Sequence, residues 1–160
     1  MNVAYLLIGG NLGDRSGYLK EAITKISSQS GIVKQTSSIY ESEAWGYLNQ
    51  PNYLNQAIEL YTEFDPHELL KRILSIEDSM GRTREQIYGP RTIDIDILYF
   101  NDLIIDDNVL NIPHPRISER QFVLIPLNEI ASKHYDPVIK MTVNQMLSIC
   151  KDNLNVYLHE

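Results

Sequence analysis

From Val3 to Phe100 the apolar residues switch between the two-residue period of a strand and the 3.6-residue period of a helix. The order is strand, helix, strand, strand, helix, strand. That order leaves few ways to bury every apolar face, and the split βαβ arrangement of a ferredoxin-like sandwich is the simplest. The expected fold class is therefore α+β, a ferredoxin-like βαββαβ sandwich whose antiparallel sheet carries two helices on one face. The opposite face and its loops would be free for ligands.

Val3 to Ile8 reads as a buried strand, and Gly9-Gly10-Asn11-Leu12-Gly13 turns out of it. From about Asp14 to Ser28, Leu19, Ala22, Ile23 and Ile26 recur at helical spacing, with Gly31 as a stop. Ile32 to Tyr40 is a second strand, and Glu41 to Pro51 an irregular loop. Tyr53 to Tyr61 is a third strand, whose Leu54, Ile58 and Leu60 share a face with Gln56. Asp65-Pro66-His67-Glu68 opens a helix with an N-cap, a proline at N1 and an acidic N3 residue, and this helix sends Leu69, Leu70, Ile73, Ile76 and Met80 inward. A polar loop from Gly81 to Gly89 precedes the fourth strand, and Asn101-Asp102 turns that strand toward Leu103 to Ile105. Ser118 to about Leu124 is expected to be a short helix ending before Pro126, and Thr142-Val143-Asn144-Gln145 has the form of a capping box opening a last helix through Ile149. His67, His134 and His159 read as helix or surface residues, the last at a frayed terminus.

One strand breaks the rule of composition. In Thr92-Ile93-Asp94-Ile95-Asp96-Ile97-Leu98-Tyr99-Phe100, the isoleucines face one side and the two aspartates the other. Asp is among the residues most depleted from strands, yet two of them occur in the most strand-like run of the chain. Their carboxylates share one space about 6.6 Å apart along the backbone. That is a spacing at which they can converge on one or two hard cations together with substrate phosphates, as Mg²⁺ is usually held. Without a ligand the same residues would be the solvated face of an edge strand.

Charge narrows the choice of ligand. The 160 residues suit one domain, 1–160, and their net charge of −7 argues against a nucleic-acid or anionic-membrane partner. Between Arg72 and Arg120, however, every basic residue is an arginine: Arg72, Arg82, Arg84, Arg91, Arg116 and Arg120. The guanidinium fork matches phosphate oxygens where lysine offers a point charge, so arginines enriched beside two aspartates suggest a polyphosphate site. One cysteine, Cys150, rules out an internal disulfide and a cysteine-based zinc site. With neither a signal-peptide pattern nor a run long enough to span a bilayer, a cytoplasmic protein is expected. Gly9 to Gly13 lacks the spacing of a dinucleotide fingerprint, and no P-loop exists. On residues alone the reading is an Mg²⁺-dependent enzyme acting on a nucleoside triphosphate. Two-metal phosphodiester hydrolysis and a ferredoxin-like ligand sensor are the competing classes.

Four ordered segments carry more. Asn11-Leu12-Gly13-Asp14, Gln50-Pro51-Asn52-Tyr53-Leu54-Asn55, Gly89-Pro90-Arg91-Thr92-Ile93-Asp94-Ile95-Asp96-Ile97, and Ile112-Pro113-His114-Pro115-Arg116 with Arg120-Gln121-Phe122-Val123-Leu124 closely resemble the 6-hydroxymethyl-7,8-dihydropterin pyrophosphokinases. These are folate-pathway enzymes that transfer pyrophosphate from ATP to a pterin hydroxymethyl group and release AMP. The resemblance implies that Asp94 and Asp96 bind two Mg²⁺ and that Arg82 and Arg91 assist catalysis. It places Glu77, Arg82, Arg84, Tyr88, Arg91, Ile97, His114 and Arg120 on the ATP side. It places Ser42, Trp45, Tyr53, Asn55, Asp94 and Phe122 around the pterin, with Tyr53 and Phe122 as the aromatic sandwich. Without it, Tyr53 and Asn55 would read as a core tyrosine and a turn asparagine, and His114 as a structural donor between two prolines. Tyr88, Leu74 and Glu43 depart from residues common in the family. The protein is expected to be a monomer or weak dimer, with loops 41–51 and 81–89 closing as lids and Trp45 reporting closure.

Overall fold

The computed structural model describes residues 1–44, 49–81 and 92–160. Its elements in chain order are β1 (Asn2–Gly10), α1 (Arg15–Gln29), β2 (Ile32–Thr36), β3 (Tyr40–Ser42), β4 (Tyr53–Thr62), α2 (Pro66–Ser79), β5 (Asp94–Phe100), β6 (Ile105–Asp106), β7 (Asn111–Ile112), a 3₁₀ turn (Ile117–Glu119), α3 (Gln121–Ala131), α4 (Val143–Ile149) and β8 (Val156–Leu158). The main sheet runs β5-β1-β4-β3-β8, with β2 also paired to β4. Every pairing within it is antiparallel.

Three helices start where short polar side chains meet otherwise unpaired amides. Asp14 accepts from the Gly17 amide and Asp65 from the Glu68 amide at 2.8 Å. Thr142 and Gln145 form the reciprocal capping box, at 3.2 and 2.9 Å. On one face of the sheet, Ala4, Leu6, Ile8, Leu54, Ile58, Ile95 and Ile97 pack against Leu19, Ala22 and Ile26 of α1 and Leu69, Ile73 and Ile76 of α2. Each leucine and isoleucine among them contributes about 1.5–3 kcal/mol on burial. The ferredoxin-like core is thus the one expected from the periodicities.

The second face is not fully open. Leu7, Leu98 and Tyr99 pack under Val123, Leu124 and Leu127 of α3 and Val143 and Met146 of α4. A register shift between Tyr5 and Leu6 lets Leu98 and Tyr99 both serve that face. Among the described residues, the end of the sheet around Gly9, Asp94 and Asn55 is left open to a cavity. α3 also runs through Pro126 rather than stopping before it. Its buried stripe Val123, Leu124, Leu127 and Ala131 outweighs a helix-interior proline cost of about 3 kcal/mol.

The strand expected from 32 to 40 is broken. Ser37 donates its amide to the Ala57 carbonyl and accepts the Ala57 amide on its hydroxyl, both at 2.9 Å, so a side chain replaces one rung of the ladder. Glu129 of α3 holds the break by accepting from the Ser38 amide (2.9 Å) and the Tyr40 hydroxyl (2.7 Å). β8 was not expected, and with it the C-terminus is tied down: His159 meets Glu41 at 3.1 Å, and its amide donates to Ile39. His134 is half-buried rather than a free surface residue, packing against the rings of Tyr5 and Tyr99 at centroid distances of 5.2 and 4.3 Å.

Candidate active site

The β1 register assembles the site. Gly9 pairs with Asn55 on one side and with Asp94 on the other, so an amide and a carboxylate flank a residue with no side chain. Paired residues of an antiparallel sheet point to the same face, and two strand spacings separate the outer two by about 10 Å. A Cβ at Gly9 would collide with the Asn55 amide oxygen and come within 2.7 Å of the Leu54 carbonyl oxygen. Glycine here keeps Asn55 in place and leaves a slot beside it. One row further along, Leu7 pairs with Asp96, which projects to the same side as Asp94.

These residues line a cavity of about 480 Å³, within the range of ordinary ligand pockets. Ser42, Tyr53, Asn55 and Phe122 occupy its wall, with Asp94, Asp96, Glu77, His114 and Arg120 also lining it. Because β5 is an edge strand, the cavity reaches round it to Leu70, Leu74 and Glu77 of α2. The Arg120 guanidinium lies 5.4 Å from the centre of the Phe122 ring, linking the cationic and aromatic parts.

His114 is fixed at both ends. Its amide donates to the Leu98 carbonyl at 3.0 Å, and its Nδ1 accepts the Arg116 amide at 3.3 Å, which places the proton of the neutral ring on Nε2. Burial, then the charge of Arg120, pushes the ring pKa down to about 4, with Asp94 pulling the other way and Arg116 adding to the fall. The ring therefore meets a ligand as a neutral donor.

The structure thus brings together nine of the expected residues. Ile97 is the exception among the described ones: alternation along β5 turns its side chain into the α1 and α2 core, away from the cavity lining. Trp45, Arg82, Arg84, Tyr88 and Arg91 lie outside the described residues, as do 45–48 of the first expected lid and 82–89 of the second. Leu7 and Pro115 also line the cavity without an expected role, while Gly9 was expected only as part of a turn and Arg116 only among the arginines of a polyphosphate site, although a glycine at a strand's ligand end is a signal of close approach. Sequence reasoning also missed Asn11, which is buried and donates to Gln50 (2.9 Å) and the Pro51 carbonyl (2.8 Å), tying the first turn to the segment entering β4.

The donor set fits Mg²⁺. Among the described residues no three His, Cys, Asp or Glu side chains gather to cage an ion alone. A carboxylate pair would leave the remaining positions to water and phosphate oxygens, the way Mg²⁺ is commonly bound. No helix among the described residues is long and apolar enough to cross a membrane.

A carboxylate pair on an edge strand, facing a neutral histidine and an arginine beside an aromatic and amide slot, has the layout of a phosphoryl-transfer site in an α+β enzyme. Comparison with known proteins is more specific. The family model described as 7,8-dihydro-6-hydroxymethylpterin-pyrophosphokinase matches residues 5–132. The 2-amino-4-hydroxy-6-hydroxymethyldihydropteridine pyrophosphokinase of Bacillus subtilis is 46% identical over 133 residues, covering 82% of this chain and 80% of that protein. The protein of the same name from Aquifex aeolicus is 39% identical over 145 residues, covering 91% and 90%. Among solved structures, Plasmodium falciparum HPPK-DHPS with pteroate superposes with a TM-score of 0.73 at 18% identity. That match covers 92% of this chain and 42% of the other, so the chain spans less than half of that two-part protein, and the likeness speaks to the fold. This chain belongs to the 7,8-dihydro-6-hydroxymethylpterin-pyrophosphokinase family.

Proposed function

We propose that the chain transfers the terminal diphosphate of ATP to the hydroxymethyl group of 6-hydroxymethyl-7,8-dihydropterin, releasing AMP in folate biosynthesis, with Mg²⁺ held by Asp94 and Asp96. The observation that supports this most is the row Asn55–Gly9–Asp94, in which a residue without a side chain lies between an amide and a carboxylate, room that a flat heterocycle would fit. The relatives' shared name supplies the diphosphate as the group transferred.

The pterin would stack between Tyr53 and Phe122, each offset stack adding about 0.5–1.5 kcal/mol beyond area burial. Asn55, buried beside Gly9, offers an amide to the heterocycle edge. Attack by the hydroxymethyl oxygen on the β-phosphorus forms one P–O bond and breaks the bond to the α-bridging oxygen. That oxygen leaves on AMP, and the hydroxyl proton passes to solvent. Two Mg²⁺, when bound, would neutralise phosphate charge and bring the hydroxyl oxygen and the β-phosphorus together. His114 would donate from Nε2 and Arg120 from its guanidinium to phosphate oxygens, while Arg82, Arg84 and Arg91 would supply further charge, Arg82 and Arg91 during transfer itself. Tyr88 and the α2 wall on which Glu77 stands belong to the ATP side of this reading, and Ser42 and Trp45 to the pterin side.

Incubation with ATP, the pterin and Mg²⁺ should yield AMP, and EDTA should abolish it. ADP as the nucleotide product, or undiminished turnover in EDTA, would overturn the reading.

A further inference from the structure

Among the described residues β5 pairs with β1 alone, so amides on its other edge need partners other than a strand. At Ile95 that partner is a side chain. The Ile95 amide donates to Glu77 Oε2 at 2.6 Å, a short bond of the kind made to a charged acceptor. Glu77 stands in the last turn of α2 and is 2% exposed. Ile95 is the residue between Asp94 and Asp96, and its own side chain is buried in the α1 and α2 core. A bond to its amide fixes the peptide plane joining it to Asp94, one residue from Asp96. The isoleucine side chains of β5 are thus held from the helix side while the Ile95 amide is held by Glu77.

We propose that Glu77 is a positioning residue: through Ile95 it sets the orientation of the peptide between the two aspartates, and so the angle at which both carboxylates enter the cavity. This rests on the reading of Asp94 and Asp96 as the metal-holding pair. It differs from a direct contact between Glu77 and the nucleotide, because Glu77 then acts on the metal ligands before any nucleotide is present. Gln can accept the same bond. Met fills the space with no comparable acceptor, and Asp keeps the charge on a stem one methylene too short.

Amide hydrogen exchange of the full chain, without metal or nucleotide, reads the bond itself. In Glu77→Met and Glu77→Asp the Ile95 amide should exchange about ten- to hundredfold faster than in wild type, and in Glu77→Gln within about threefold of it. The Leu98 amide, further along β5, should be unchanged in all three. In turnover with Mg²⁺, Glu77→Met and Glu77→Asp should lose kcat at least about tenfold with KM for ATP nearly constant, and Glu77→Gln should restore most of kcat. A thermal melt identifies any variant that fails to fold, and if Glu77→Met does so, Glu77→Asp decides. Wild-type exchange at Ile95 in the decisive variant would overturn the proposal. So would a rise in KM for ATP at unchanged kcat, which marks a direct nucleotide contact. Titration of wild type and Asp96→Asn with Mn²⁺ and a non-hydrolysable ATP analogue tests the metal reading separately. Equal Mn²⁺ affinity in both would refute the metal pair while leaving the Ile95 result standing.

Discussion

Between pH 6.5 and about 4, His114 should draw down the stability of the ligand-free protein. Burial foremost, with the charges of Arg120 and Arg116, lowers the ring from 6.5 to about 4 in the folded state. Over that window the unfolded chain binds more protons than the folded one, so stability falls as pH falls. The contribution is fully present above 6.5, is lost as pH drops toward 4, and is gone below it. The difference, 6.5 less about 4, at 1.36 kcal/mol per unit, is on the order of 3 kcal/mol. Urea unfolding at a series of pH values, for wild type and His114→Gln, isolates it, because glutamine does not titrate. The wild-type curve should fall more steeply than the variant's by about that amount, whatever constant offset the substitution brings. An NMR titration of the His114 ring should place its midpoint far below 6.5. Parallel stability curves for the two proteins, or a ring that titrates at 6.5 or above, would refute the argument that burial and arginine charge keep His114 neutral.

Gly9→Ala forces a methyl group against Asn55 and the Leu54 carbonyl, so stability should fall by about 1–3 kcal/mol. Calorimetry should show pterin affinity lowered at least about tenfold with nucleotide affinity spared; unchanged pterin binding would contradict the slot. Tyr99→Phe removes the donor to Asp136 Oδ2 at 2.6 Å, between two buried residues away from the cavity. Urea unfolding should register a loss of about 1.5–3 kcal/mol with turnover preserved. Asp96→Asn keeps shape but removes charge, and should cut turnover by orders of magnitude while changing pterin affinity far less. Near-normal turnover at saturating Mg²⁺ would count against its role as a ligand.

The parts of the fold that were legible are those where packing repeats. Alternation in β1, β4 and β5, and the helical stripes of α1 and α2, reflect burial against a single shared core and so appear in the order of residues. The parts that were not legible depend on one contact from afar. Ser37 ends β2 because its hydroxyl substitutes for a strand carbonyl as acceptor, and Glu129, 91 residues beyond Ser38, holds the break. Pro126 reads locally as a helix stop and is overruled by the burial of α3 on the second face. The three residues of β8 carry no period to detect. In the site, the pairing of Asp94 with Asp96 followed from alternation alone, and the same alternation, rather than the family resemblance, describes where Ile97 points. Gly9 read only as part of a turn, because what its absent side chain makes room for across two strands becomes visible only with the register.

The central claim is that two phosphorus atoms, not one, move from nucleotide to pterin. ATP labelled separately at its β and γ positions, incubated with Mg²⁺, 6-hydroxymethyl-7,8-dihydropterin and the full chain, follows both atoms directly. The account predicts both labels in the pterin product and an equal amount of unlabelled AMP. Label at γ alone in the pterin with β retained in ADP, or release of labelled inorganic phosphate without a pterin product, would contradict it.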